Sequence, residues 1–61
     1  MNYEQDILYF KMNLLQAEIR MNAMIAENKI REISGNSPAY GEKAFMDLID
    51  EYRIHHNAFP V

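Results

Sequence analysis

The first half of the chain alternates hydrophobic and polar residues at the spacing of an α-helix. Residues 3–33 contain neither proline nor glycine, and their apolar positions recur at intervals of three and four. The first row of apolar positions comprises Ile7, Phe10, Leu14, Ala17, Met21 and Met24. The second row comprises Leu8, Met12, Leu15, Ile19, Ala23 or Ala26, Ile30 and Ile33. The pattern therefore predicts one long helix over about residues 3–33, with a broad apolar face.

A second, shorter helix is predicted after a turn. Gly35 is a natural C-terminal cap because it adopts φ > 0 without steric cost. Ser37-Pro38 suits an N-cap followed by proline at the first helical position. We expect a helix over about residues 38–56, with a start nearer Glu42 as the alternative because Gly41 weakens the first turn. Its apolar stripe is Phe45, Leu48, Ile49 and Tyr52.

The predicted fold is an all-α, antiparallel two-helix hairpin that forms a single domain over residues 1–61. A chain of 61 residues buries little surface and needs reinforcement, and the absence of cysteine excludes disulfides. Self-association is the reinforcement left, and we expect a homo-oligomeric helical bundle such as a four-helix bundle.

The difference in helix length indicates where the copies would meet. The long helix extends about 45 Å, and the short one cannot cover its N-terminal third. Large apolar side chains left uncovered on a small protein usually mark an interface. The alternative is a bent first helix that hides them within a monomer. The predicted oligomer or partner interface is Tyr3, Ile7, Leu8, Phe10, Met12, Leu14 and Leu15.

Charge and composition narrow the classes of partner. The formal net charge of −3 and the lack of a basic run make nucleic-acid binding unlikely. No apolar run reaches the ~20 residues that span a bilayer, and the polar, acidic N-terminus is unlike a secretory signal. We therefore predict a cytoplasmic protein with no membrane association.

Two polar clusters are candidate sites. The residues Asp47, Asp50, Glu51 and His55 share one side of the second helix. They could hold half of a metal site, but the first helix has no inward carboxylates to complete it. A solvated acidic face that meets a basic partner is preferred, and no metal or cofactor is predicted. The residues Tyr9, Lys11, Arg20 and Tyr40 could line a pocket for a small anionic ligand, although ordinary surface roles suit them better.

Resemblances to known families concern the hairpin alone. Ile19-Arg20 and the segment 48–52 are similar to the helical hairpin of short sporulation aspartyl-phosphate phosphatases. That family's Ser-Gln-Glu-Leu-Asp segment would fall on residues 42–46, where none of the five positions matches. The resemblance implies a hairpin without phosphatase activity. The layout also resembles the plasmid RNA-binding regulators that dimerise into four-helix bundles, without their basic surface.

The sequence thus predicts a non-enzymatic protein. No nucleophile lies near a general base, and the two glycines do not form a phosphate loop. We expect a small regulatory, adaptor or inhibitor protein of phage or bacterial type that binds another protein as a homo-oligomer. One alternative is an oligomer that sequesters a small, nucleotide-type ligand between its chains. Another is a nucleic-acid-binding hairpin dimer, which the charge disfavours.

Overall fold

The protein is all-helical over residues 3–54, the part of the chain that the computed structural model describes. Helix α1 spans Tyr3–Ile33 and helix α2 spans Glu42–Glu51. The connecting segment returns along α1, because the backbone of Tyr40 is hydrogen-bonded to the side chain of Asn28. The two helices therefore form the predicted hairpin, with α2 running back along α1.

Helix α1 begins and ends where the sequence predicts. Gly35 has φ of 80°, and its N–H donates to the Glu32 carbonyl at 3.1 Å. The Asn36 N–H donates to the Arg31 carbonyl at 2.8 Å. These two bonds form the Schellman motif, which satisfies carbonyls that the end of a helix would otherwise leave unpaired. The absence of a side chain at Gly35 permits this ending.

Helix α2 begins at the alternative start near Glu42, and the start at residue 38 is wrong. Gly41 is the N-cap, with extended backbone and no capping side chain, and the helix begins at Glu42. The physical reason lies on α1. The Asn28 side chain donates to the Tyr40 carbonyl at 2.9 Å and accepts from the Tyr40 N–H at 3.0 Å. A backbone held by these two bonds is not free to enter a helix, despite the proline at residue 38.

The C-terminal end of α2 also comes earlier than the predicted residue 56. Arg53 has φ of 54°, its N–H donates to the Asp50 carbonyl, and the Ile54 N–H donates to the Ile49 carbonyl. This is a second Schellman motif, here with arginine in the left-handed position that glycine usually occupies. Residues 55–56 of the prediction lie outside the described residues.

The two apolar rows of α1 lie on opposite sides of the helix. At 3.6 residues per turn, their mean directions differ by roughly 160°. Burial agrees, since Ala17 and Met24 of the first row are buried whereas Leu15 and Ile19 of the second row are exposed. The prediction of one broad apolar face was therefore wrong, because α1 has two narrow faces.

Helix α2 packs on the first row of α1 and is much the shorter of the two helices. Its ten residues extend about 15 Å, a third of the length of α1. Leu48 is its buried residue and packs into a small core with Ala17 and Met24. Ile30 and Ile33 are exposed because they belong to the second row, which faces away from α2. The molecule measures 50 × 17 × 10 Å, which is much longer than it is wide.

Candidate functional site

An open apolar groove runs between α2 and the first row of α1. Its volume is about 400 Å³. Among the described residues of its lining, Glu18 alone has a charged side chain. The lining residues are Leu14, Ala17, Glu18, Met21, Phe45, Met46, Leu48, Ile49 and Ile54. A groove of this size and lining suits bulky hydrophobic side chains from a binding partner.

The lining of the groove includes both buried and exposed side chains. Ala17 of α1 and Leu48 of α2 are buried. Met46 and Met21 stay 55% and 38% exposed. Methionine is flexible and polarisable, so these two side chains can adapt to partners of different shape.

Sequence reasoning overlooked the groove, although it contained a signal. Met46 and Ile54 lie off the apolar stripe of α2, and a single hairpin gives them no obvious contact. The structure places both in the lining of the groove. An apolar residue beside a stripe can therefore mark the edge of a binding surface.

The predicted acidic residues within the described chain lie on the outer side of α2. Asp47, Asp50 and Glu51 are all exposed. The Lys43 ammonium donates to Asp47 at 2.9 Å, and this hydrogen bond raises the pKa of Lys43. Asp47 is therefore partly neutralised, whereas neither Asp50 nor Glu51 forms an ion pair within residues 3–54. His55, the fourth predicted member, lies outside the described residues.

Arg20 and Tyr40 are the two predicted pocket residues that the structure brings together. The Arg20 guanidinium donates to the Tyr40 hydroxyl at 3.3 Å and lies 5.2 Å from the centre of its ring. The hydrogen bond to Tyr40 raises the pKa of Arg20, and the charge of Glu51 contributes in the same direction. Tyr9 lies about 16 Å further along α1, and Lys11 projects from the opposite side of the helix. The four residues therefore do not converge.

The predicted interface residues are divided between the two sides of α1. Leu8, Met12 and Leu15 belong to the second row and are exposed. Tyr3 is also exposed, while Ile7 and Phe10 are half-buried. Leu14 is exposed and lines the groove. Their role in self-association stays a prediction.

Asn28 is a structural residue that the sequence reasoning missed. It stands one helical turn after Met24, where the first row would continue. A polar residue in line with an apolar row was the available signal. Its side chain makes the two bonds that hold Tyr40, and so it fixes where α2 lies along α1.

Residues 3–54 provide neither a metal-binding cluster nor a membrane-spanning helix. No group of three or more His, Cys, Asp or Glu side chains in this part of the chain is placed to hold a metal ion. Neither helix there combines the length and hydrophobicity that crossing a bilayer requires. The Ser34 hydroxyl donates to the Ile30 carbonyl at 2.9 Å, so this side chain completes the end of α1.

Comparison with protein-family models, with curated proteins and with solved structures gives no match.

Proposed function

We propose that this protein is a small non-catalytic regulator that binds a segment of another protein in the groove between α1 and α2. The observation that carries the proposal is an open, almost wholly apolar groove beside an exposed acidic surface. A hydrophobic groove between helices is a common receptor for an amphipathic helix. Adaptor, inhibitor and regulatory roles all use such binding.

The charges around the groove indicate the chemistry of the segment. Glu18 lies in the lining, and Asp50 follows Met46 by one helical turn on the outer side of α2. The chain as a whole carries a formal charge of −3. Lysine and arginine residues that flank the apolar anchors of a partner would therefore be favoured over glutamate and aspartate.

A pair of designed peptides tests this preference. The probe is a fluorescent amphipathic helix made of leucine and lysine, and its control replaces every lysine with glutamate. We expect the leucine–lysine peptide to bind, with an affinity that falls as salt is added, and the leucine–glutamate peptide to bind much more weakly. Equal binding of both peptides would contradict the acidic contribution, and binding of neither would contradict the proposal.

A matched pair of substitutions locates the binding. Met46→Gln keeps the length and helix propensity of the side chain but places an amide at the edge of the groove. We expect it to weaken peptide binding about tenfold, since roughly 1.4 kcal/mol of apolar contact is lost. Ile25→Gln is the control, because Ile25 is a half-exposed aliphatic residue of α1 outside the groove lining. Equal weakening by both substitutions would show that the peptide binds elsewhere.

A second candidate function is the sequestering of a small anionic ligand between chains. The observation in its favour is the exposed Arg20 guanidinium beside the Tyr40 ring. The base of a nucleotide could stack with the Tyr40 ring and the Arg20 guanidinium, and its phosphate could bind the Arg20 cation. A thermal-shift series with nucleotides distinguishes the two functions: an increase in unfolding temperature that Arg20→Gln abolishes would favour sequestration.

A further inference from the structure

The second row of α1 forms an apolar surface that nothing in the described hairpin covers. Its members follow one side of the helix for about 38 Å, from residue 8 to residue 33. No charged residue belongs to the row. The large side chains that stay exposed along it are Leu8, Met12, Leu15, Ile19, Ile30 and Ile33. Patches of this extent on a small protein usually mark an interface.

The area of the chain indicates how large that interface is. Its accessible surface is 4923 Å². A compact monomer of 7.2 kDa would expose about 4100 Å². The excess is roughly 800 Å², which is what each partner loses in a standard protein–protein interface. One interface per chain would therefore bring the surface back to the value for a compact protein.

The length of the row identifies the occupant. Helix α2 extends about 15 Å and could cover less than half of the row. Helix α1 itself matches the full length, so the second row of another copy is a partner of the right length and the right polarity. Two copies of α1 joined in this way would leave both α1–α2 grooves open, because the first row faces the other side.

The order of large and small side chains distinguishes the two possible orientations. In a parallel pair, Ala23 and Ala26 would each face the same alanine of the other chain. These small side chains would leave a gap in the interface. In an antiparallel pair centred between residues 20 and 21, Ala26 faces Leu15 and Ala23 lies near Ile19. Large residues then fill the space beside small ones, which is how well-packed helix interfaces are built.

From these observations we infer that a second copy of this chain binds along the second row of α1, antiparallel and with its two-fold axis near residues 20 and 21. The inference concerns a different surface from the groove, and it specifies the self-association that the sequence predicts. The dimer displays its two α1–α2 grooves on its outer sides. It would therefore bind two partner segments at once.

Sedimentation of the full-length chain over a range of concentrations is the first test. We expect a reversible dimer, and a monomer at high micromolar concentration would overturn the inference. Ile19→Gln places an amide at the centre of the row in both copies, and the dimer should weaken by about 100-fold. Ile25→Gln again serves as control, since Ile25 lies off the second row. Equal effects of the two substitutions would also overturn the inference.

Spin labels report the orientation without any destabilising substitution in the row. The chain has no native cysteine, so Glu4→Cys carries a single label at the exposed start of α1. An antiparallel pair separates the two labels by about 50 Å, whereas a parallel pair brings them within roughly 20 Å. The short distance would overturn the inferred arrangement. Peptide binding by a monomeric chain would uphold the proposed function while overturning this inference, so the two can fail separately.

Discussion

The clasp between Asn28 and Tyr40 gives the most direct test of how this hairpin is held together. The Asn28 amide makes both a donor and an acceptor bond to the backbone of Tyr40, at 2.9 and 3.0 Å. Asn28→Ala removes both bonds and nothing else of comparable size. We expect the variant to be less stable, because the connecting segment would lose its attachment to α1.

The expected size follows from the two bonds. A net hydrogen bond contributes about 1 kcal/mol to the free energy of unfolding, so their joint loss costs about 2 kcal/mol. The higher helix propensity of alanine adds about 0.6 kcal/mol to the free energy of unfolding and offsets part of this loss. The net loss should therefore be about 1.4 kcal/mol, which is a large fraction of the stability of a small domain.

Urea denaturation followed by far-UV circular dichroism measures this loss. All variants are compared at one protein concentration, since self-association would otherwise shift the midpoint. Gln16→Ala is the control, because Gln16 is an exposed residue of α1 that lies in neither apolar row. It should be slightly more stable than the native chain. Asn28→Asp keeps an acceptor for the Tyr40 N–H and should fall between Asn28→Ala and the native chain. A variant Asn28→Ala as stable as Gln16→Ala would refute the reasoning.

The two helix ends support further predictions. Gly35→Ala should lower the free energy of unfolding by about 1 kcal/mol. Among the described residues, none beyond the two chain neighbours of Gly35 lies within 4 Å of the added methyl group, so the loss would come from the backbone conformation. Gly35→Asn should lose less stability in the same urea titration. Arg53→Gly should raise the free energy of unfolding by ~0.5–1 kcal/mol, because glycine accepts the φ of 54° that arginine adopts at a cost. Arg53→Ala is its control, and equal stability of the two variants would mean that no strain is relieved.

Local sequence signals were sufficient for α1 and insufficient for α2. Residues 3–33 are an uninterrupted run of good helix formers that ends at a glycine, and both ends of α1 agree with the prediction. At the start of α2, the local preference of Ser37-Pro38 competes with bonds from Asn28, which is distant in sequence. The tertiary bonds prevail, so α2 begins at Glu42. Arg53 adopts the left-handed conformation that usually belongs to glycine. Because the sequence has no glycine at this position, it gave no signal for the end of α2.

The candidate surfaces differ in how far they could be predicted. The opposite directions of the two rows follow from helical geometry alone, so the second row was readable from the sequence. The groove could not be predicted from the sequence, because its position depends on how far residues 34–41 extend back along α1 before α2 begins. That distance is set by the clasp at Tyr40. The position of Met46 and Ile54 in the groove lining follows only once the position of α2 along α1 is known.

The exposed connector also determines how this protein tolerates change in length. Residues 34–39 are all exposed, and the clasp at Tyr40 comes after them. A loop that doubles in length costs only about 0.6 kcal/mol in closure entropy, so inserted residues before Pro38 would leave the clasp and both helices in place. This bend is therefore where a fluorescent reporter, an affinity tag or a fused domain can be attached while the groove and the second row stay accessible.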